Sequence, residues 1–319
     1  MNLYCTIRFF ISGLVLFISL IPISFAFAET SYNVAMITWR GETVAELGFI
    51  DELDKSTCDV TLIKYHADQN RNRLQKIITK IQSTPVDLIY VFGTTATKIV
   101  LLQVKDKPVV FNIVNRPVGS GIIANWESSE NNATGASNKV PVLHQLRTLK
   151  KVVDYHKLGI IYNPGEQNSI IQKNIARKLE DTLGFELKEY KICRKSDVLK
   201  VLPLMKGAVD AVYLPADSMT KSLGKEIIAV VNEFKLPSLS AVESMVPDDG
   251  ALLGLVPNYY ELGRLAAKKA LKIFQGKKPA EIPSSALDYF NMSVNMKTAQ
   301  KINVQIPMSI LVMANKIVR

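Results

Sequence analysis

Leu158-Gly-Ile-Ile-Tyr-Asn-Pro-Gly-Glu-Gln-Asn-Ser169 is the stretch on which the fold turns. Residues 158–162 are a continuous apolar run, the mark of a strand buried on both faces of a parallel sheet. Pro164 and Gly165 end it. Asn168 and Ser169 suit a helix N-cap, and apolar residues then recur at helical spacing over 170–183. A loop so placed lies at the carboxyl end of a strand, beside free helix N–H groups, where open α/β sheets bind ligands. The same segment is also the ordinary βα turn of any α/β protein, so its surroundings must decide.

Outward from it, apolar runs alternate with longer amphipathic segments. In the first half the spacing predicts strands at 33–37, 60–65, 88–92 and 109–113, with helices at 43–53, 70–81 and 95–104. The pattern restarts after about residue 150, with strands at 158–162, 187–190, 211–214 and 238–241 and helices at 170–183, 195–206 and 220–234. Such alternation specifies parallel sheets flanked by helices. Its tandem form predicts two Rossmann-like lobes with an interlobe ligand cleft. Residues 128–140, rich in Ser, Asn and Gly without apolar period, read as a loop. The sequons at Asn132 and Asn291 read as turn residues. A helix at 259–275 carries Leu262, Ala266 and Ala270 on one face and stops at Gly276; a strand at 290–294 and an amphipathic tail at 310–318 follow.

Arg8 precedes an apolar run from Phe9 to Phe25 that closes on Ala26-Phe27-Ala28 before Glu29. This is the layout of a signal peptide cleaved after Ala28, an uncleaved anchor being the alternative. Cys5 lies ahead of the apolar run, so it is not a lipoprotein cysteine. No later run is long and apolar enough for a membrane span. A 48% hydrophobic composition can fill two cores. Beyond residue 28 there remain 38 basic against 29 acidic residues, a charge of +9. The basic residues are dispersed over helix faces without aromatic interleaving, so no nucleic-acid partner is expected. Cys58 and Cys193 lie in different halves and read as buried free thiols. His66, His144 and His156 are scattered, and neither metal nor cofactor is called for.

Polar residues follow every predicted strand, as a cleft built from several loops requires. They are Trp39 and Arg40 after the first, Gly93, Thr94 and Thr95 after the third, and Asn115 and Arg116 after the fourth. The second unit adds Asn163, Glu166, Asn168 and Ser169, then Asp217 and Ser218. A Gly-Thr-Thr helix start can receive a carboxylate, or be a plain cap. Glu166 and Asp217 could pair with an amine, or be solvated loop acids. No G-x-S-x-G elbow, Walker loop or adjacent Cys and His occurs, so an enzyme is not expected.

Tyr162-Asn-Pro-Gly-Glu-Gln-Asn-Ser169, Gly93-Thr-Thr-Ala96, Pro108-Val-Val-Phe111 with Pro117-Val-Gly-Ser-Gly121, and Asn132-Ala-Thr-Gly135 resemble the ABC transporter substrate-binding proteins that include tryptophan and phenylalanine binders. Gly263-Arg-Leu-Ala-Ala267, Ile273-Phe-Gln-Gly276 and Ile302-Asn-Val-Gln-Ile-Pro307 extend the resemblance over nearly the whole exported chain. It implies the type I periplasmic-binding-protein fold, with 29–146 plus about 245–282 in lobe one and 147–244 plus about 283–319 in lobe two. It further implies that loops beginning at Thr94, Asn163, Asp217 and Ser240 hold a small solute, an amino acid or related carboxylate, for an inner-membrane ABC permease. A periplasmic monomer is expected. Where the family usually has Asp-Pro after Val-Val-Phe, this chain has Arg116-Pro117. With Arg40 nearby, that exchange suggests a solute more anionic than a zwitterion. A module sensing ligand for a membrane signalling protein is the alternative, and an exported α/β enzyme is the third reading.

Overall fold

The apolar run at 158–162 is the buried part of a central strand, with only Lys157 exposed at its start. The computed structural model describes residues 31–319; the expected export signal and Cys5 lie outside the described residues. The strands in chain order are β1 Ser31–Thr38, β2 Asp59–His66, β3 Leu88–Phe92, β4 Val109–Asn112, β5 Ala133–Ser137, β6 Lys157–Tyr162 and β7 Glu186–Lys191. β8 Ala211–Leu214, β9 Ser238–Ser240, β10 Leu253–Val256, β11 Ser285–Ala286, β12 Asn291–Asn295 and β13 Lys316–Val318 follow.

They form two sheets. The first has the order β11-β5-β4-β3-β1-β2, all parallel. The second runs β13-β12-β10-β9-β8-β6-β7, parallel except where β10 meets β12. In each lobe the strand order reverses once, between β1 and β3 in the first and between β6 and β8 in the second. Loops diverge from the sheet at such a switch point and leave a crevice at the carboxyl ends of the strands.

The chain crosses between lobes three times. The second crossing follows β10 at 257–258, not about 245, because β10 pairs with β9 and β12. The third follows β11, because Ser285 and Ala286 pair with β5. The helix Val142–Lys150 packs Leu146 and Leu149 into the second core, so the first crossing precedes it. Residues 133–137, expected as loop, are the buried strand β5. Small residues carry no apolar period, yet an inner position needs them: a Cβ on Gly135 would lie 2.1 Å from the Phe111 carbonyl oxygen. Asn291, read as a turn residue, opens β12. The expected helix at 220–234 is two helices, Ser218–Ser222 and Gly224–Glu233.

Two helices cover one side of the first sheet at backbone contact. Val44–Asp54 starts on a capping box in which the Thr43 N–H donates to Glu46 at 2.7 Å. It crosses Tyr259–Phe274 at Gly48 and Gly263. A Cβ on Gly263 would stand 1.9 Å from the Ala45 carbonyl oxygen. The tail forms the helix Met308–Met313 and β13, with Ile310 buried in the second core. Among the described residues, no helix is long and apolar enough to cross a membrane.

Candidate functional site

The four switch-point loops meet in one small cavity between the lobes. From the first lobe come Arg40 after β1 and Phe92, Gly93 and Thr94 at the end of β3, with Asn115 beyond β4. The Arg40 guanidinium lies 5.4 Å from the Phe92 ring centroid, a cation–π contact. Gly93 has φ +90, which lets the helix Thr94–Gln103 start at the cavity wall. No side chain caps that helix, so its first N–H groups are available to an anion. Thr94 is held by the Asn115 N–H, which donates to its Oγ1 at 3.2 Å.

The second lobe supplies acids. Asp217 is buried and accepts from the N–H groups of Asn163 and Thr220, each at 2.8 Å. Glu166 is 5% exposed and accepts from the N–H groups of Ser218 at 3.1 Å and Met219 at 3.3 Å. Burial, then the neighbouring Asp217, pushes the Glu166 carboxyl up to about 7, against the pull of Arg40 across the cleft. Burial likewise raises Asp217.

Three side-chain oxygens facing this space lack partners among the described residues: Oδ1 of Asn115, Asn138 and Asn168. The Asn168 amide nitrogen is fixed on the Ala216 carbonyl at 2.5 Å and that of Asn138 on Tyr259 Oη at 3.4 Å, which leaves both oxygens as free acceptors. A buried acceptor without a donor is costly, and a ligand donor would relieve it.

Arg40, Thr94, Asn115, Glu166, Asn168, Asp217 and Ser218 are thus brought to one cavity. Trp39, Thr95 and Asn163 line an adjoining chamber that shares Glu166. Ser169 and Ser240 lie behind the wall. The Ser169 hydroxyl accepts the Asn163 N–H at 3.2 Å and bonds Asp217; Ser240 Oγ accepts the Val242 N–H at 3.0 Å. Arg116 is not at the cavity. It takes φ +49 and is half-buried, with Nε unpartnered among the described residues; burial lowers its basicity. The inference of a more anionic solute loses its main residue, because a single base, Arg40, faces two acids. Cys193, expected buried, is exposed.

Sequence reasoning passed over Phe92, Asn138 and Tyr259 as site residues. Asn138 stood in the stretch taken for a loop. Tyr259 begins a helix that the spacing does predict, but its hydroxyl reaches Asn138 from 121 residues away.

The chain matches the family model described as ABC transporter substrate binding protein over residues 40–318. It is 29% identical over 266 residues to the "Tyrosine-binding protein" of Clostridioides difficile (strain R20291), covering 82% of this chain and 77% of that one. Two solved structures share the fold. One is a conserved domain protein from Vibrio cholerae, with TM-score 0.86 and 22% identity over 90% of this chain and all of that one. The other is the ABC domain in complex with L-Trp from Streptococcus pneumonia, with TM-score 0.84 and 20% identity over 89% of this chain and all of that one. Two mainly parallel sheets with their switch points facing one cavity, and a family match that spans nearly the whole chain, agree: this protein belongs to the ABC transporter substrate-binding protein family.

Proposed function

We propose that the protein is an exported receptor that captures a zwitterionic amino acid between its lobes and delivers it to an ABC permease. The carrying observation is the opposite polarity of the two cavity walls. Lobe one offers Arg40 and the uncapped start of Thr94–Gln103 to a carboxylate. Lobe two offers Glu166 and Asp217, with the free Asn168 oxygen, to an ammonium. A ligand with both charges would hold both walls at once and so favour closure by differential affinity. The tyrosine named for the C. difficile relative and the L-Trp of the structural neighbour support an amino acid. The side chains bridging the lobes, Lys98 on Gln167 at 2.5 Å and Arg71 on the Gly165 carbonyl at 3.4 Å, would be remade at each closure.

Titration calorimetry against amino acids, dicarboxylates and sugars tests this. Amino acids should bind, while the matching amine and the matching carboxylic acid, each lacking one charge, should bind at least about tenfold more weakly. Binding of a sugar or dicarboxylate in place of every amino acid would overturn it. Recovery of a periplasmic chain beginning at Glu29 tests export.

A further inference from the structure

Behind the acid wall of the cleft, three polar side chains are sealed inside the second lobe. Tyr213 on β8 is fully buried, and Gln145 and Gln172, on the helices Val142–Lys150 and Gln167–Lys178, are 1% and 2% exposed. Burial keeps the Tyr213 hydroxyl in its protonated, donating form. It donates to Gln145 Oε1 at 2.7 Å, with Gln172 Oε1 3.3 Å away.

Both amides reach backbone on their far sides. Gln145 Nε2 donates at 2.9 Å to the carbonyl of Leu255, near the end of β10 and just before the second crossing. The first crossing leads into the helix that carries Gln145, so this bond joins the second-lobe ends of two crossings. Gln172 Oε1 accepts the Ala216 N–H at 3.1 Å, and its Nε2 donates to the carbonyls of Asn168 at 3.0 Å and Ala216 at 3.3 Å. Ala216 precedes Asp217, and the next two N–H groups, of Ser218 and Met219, hold Glu166. Both cleft acids therefore take their place from backbone that Gln172 grips.

Stability does not call for this arrangement. Replacing both partners of a buried hydrogen bond by apolar groups of the same shape is nearly neutral, whereas a satisfied polar network fixes one geometry. We infer that Tyr213 and Gln172 are positioning residues: with Gln145 they form a strut that sets the Ala216–Met219 segment, and so Asp217 and Glu166, at a fixed distance from the crossings. The acids then move with the hinge as one body and meet the opposite wall in register when the lobes close.

Tyr213→Phe and Gln172→Met, which nearly keep shape, test the strut. In the ligand-free protein, carbon-13 NMR should find the Glu166 carboxyl titrating at about 7 in the wild type. Either variant should lower that midpoint by at least about 0.5, because a loosened wall admits water and relieves the burial that raises it. A midpoint that does not fall overturns the strut, whatever happens to stability. The effect on binding rests on the receptor reading: calorimetry per folded molecule, with whichever of L-tyrosine and L-tryptophan the wild type binds tighter, should show affinity falling about tenfold. Unchanged affinity overturns the positioning role. A wild type that binds no amino acid overturns the receptor reading instead, and the Glu166 titration still decides the strut. Should neither variant fold, hydrogen exchange on the wild type decides: the Ala216 amide should exchange within about tenfold of Val212 in β8, and faster exchange overturns the strut.

Discussion

Glu46, behind the first sheet, and Glu166, on the second lobe's cleft wall, are both buried acids whose carboxyls burial raises. Glu46 is fully enclosed by its own lobe: it accepts from the Thr43 N–H at 2.7 Å, Thr43 Oγ1 at 2.9 Å and Tyr90 Oη at 2.6 Å. Glu166 accepts two N–H groups from its own lobe and leaves the rest of its carboxylate to a cavity shared with Asp217, Arg40 and three unpartnered amide oxygens. Burial alone therefore does not distinguish a structural acid from a binding one. The distinction lies in whether every partner is built in or some must be supplied from outside.

The sharpest way to break the comparison is on the rear side. Gly263→Val puts carbon into the space held by the Ala45 carbonyl and should lower unfolding free energy by about 4 kcal/mol or more in urea titration. Glu46→Ala strands the Tyr90 hydroxyl and the Thr43 N–H; a loss of about 3 kcal/mol is expected, with ligand affinity in the folded fraction unchanged. Glu166→Gln should do the reverse. Calorimetry should show amino-acid affinity falling by about 100-fold, ~2.7 kcal/mol, while stability at pH 8 stays level or rises. Equal effects of the two glutamates on binding would erase the distinction.

The pH response sharpens it further. A carboxyl raised to about 7 makes the folded chain hold more protons than the unfolded one between pH 4.5 and 7, so ligand-free stability should fall as pH rises through that window. Glu243, also raised to about 7 by burial, acts with the same sign, so Glu166→Gln should flatten the slope without abolishing it. Amino-acid affinity should run oppositely and strengthen from pH 5.5 to 8, as the carboxylate that pairs the ammonium forms. The smallest effect is expected at the exposed Lys98: Lys98→Ala removes the Gln167 contact and should change affinity by less than about 0.5 kcal/mol.

Much of this was legible because strand and helix patterns are local. The runs at 88–92 and 211–214 are strands at those same residues, and the loop after β6 does reach the cavity through Glu166 and Asn168. β5 was not legible, since its Ala, Thr, Gly and Ser answer to the space beside Phe111 rather than to a period. Arg116 follows β4 as read, but the backbone there turns left-handed and Arg116 does not line the cavity.

By itself the sequence determined the alternation of strands and helices, the two α/β units and the polar ends of the strands, because each depends on neighbours a few residues apart. Only the tertiary structure decided that Asn138 and Tyr259 join Arg40 and that Arg116 does not. Those outcomes depend on strand order and on three crossings between lobes, which join residues more than a hundred positions apart and leave no periodic trace in the chain.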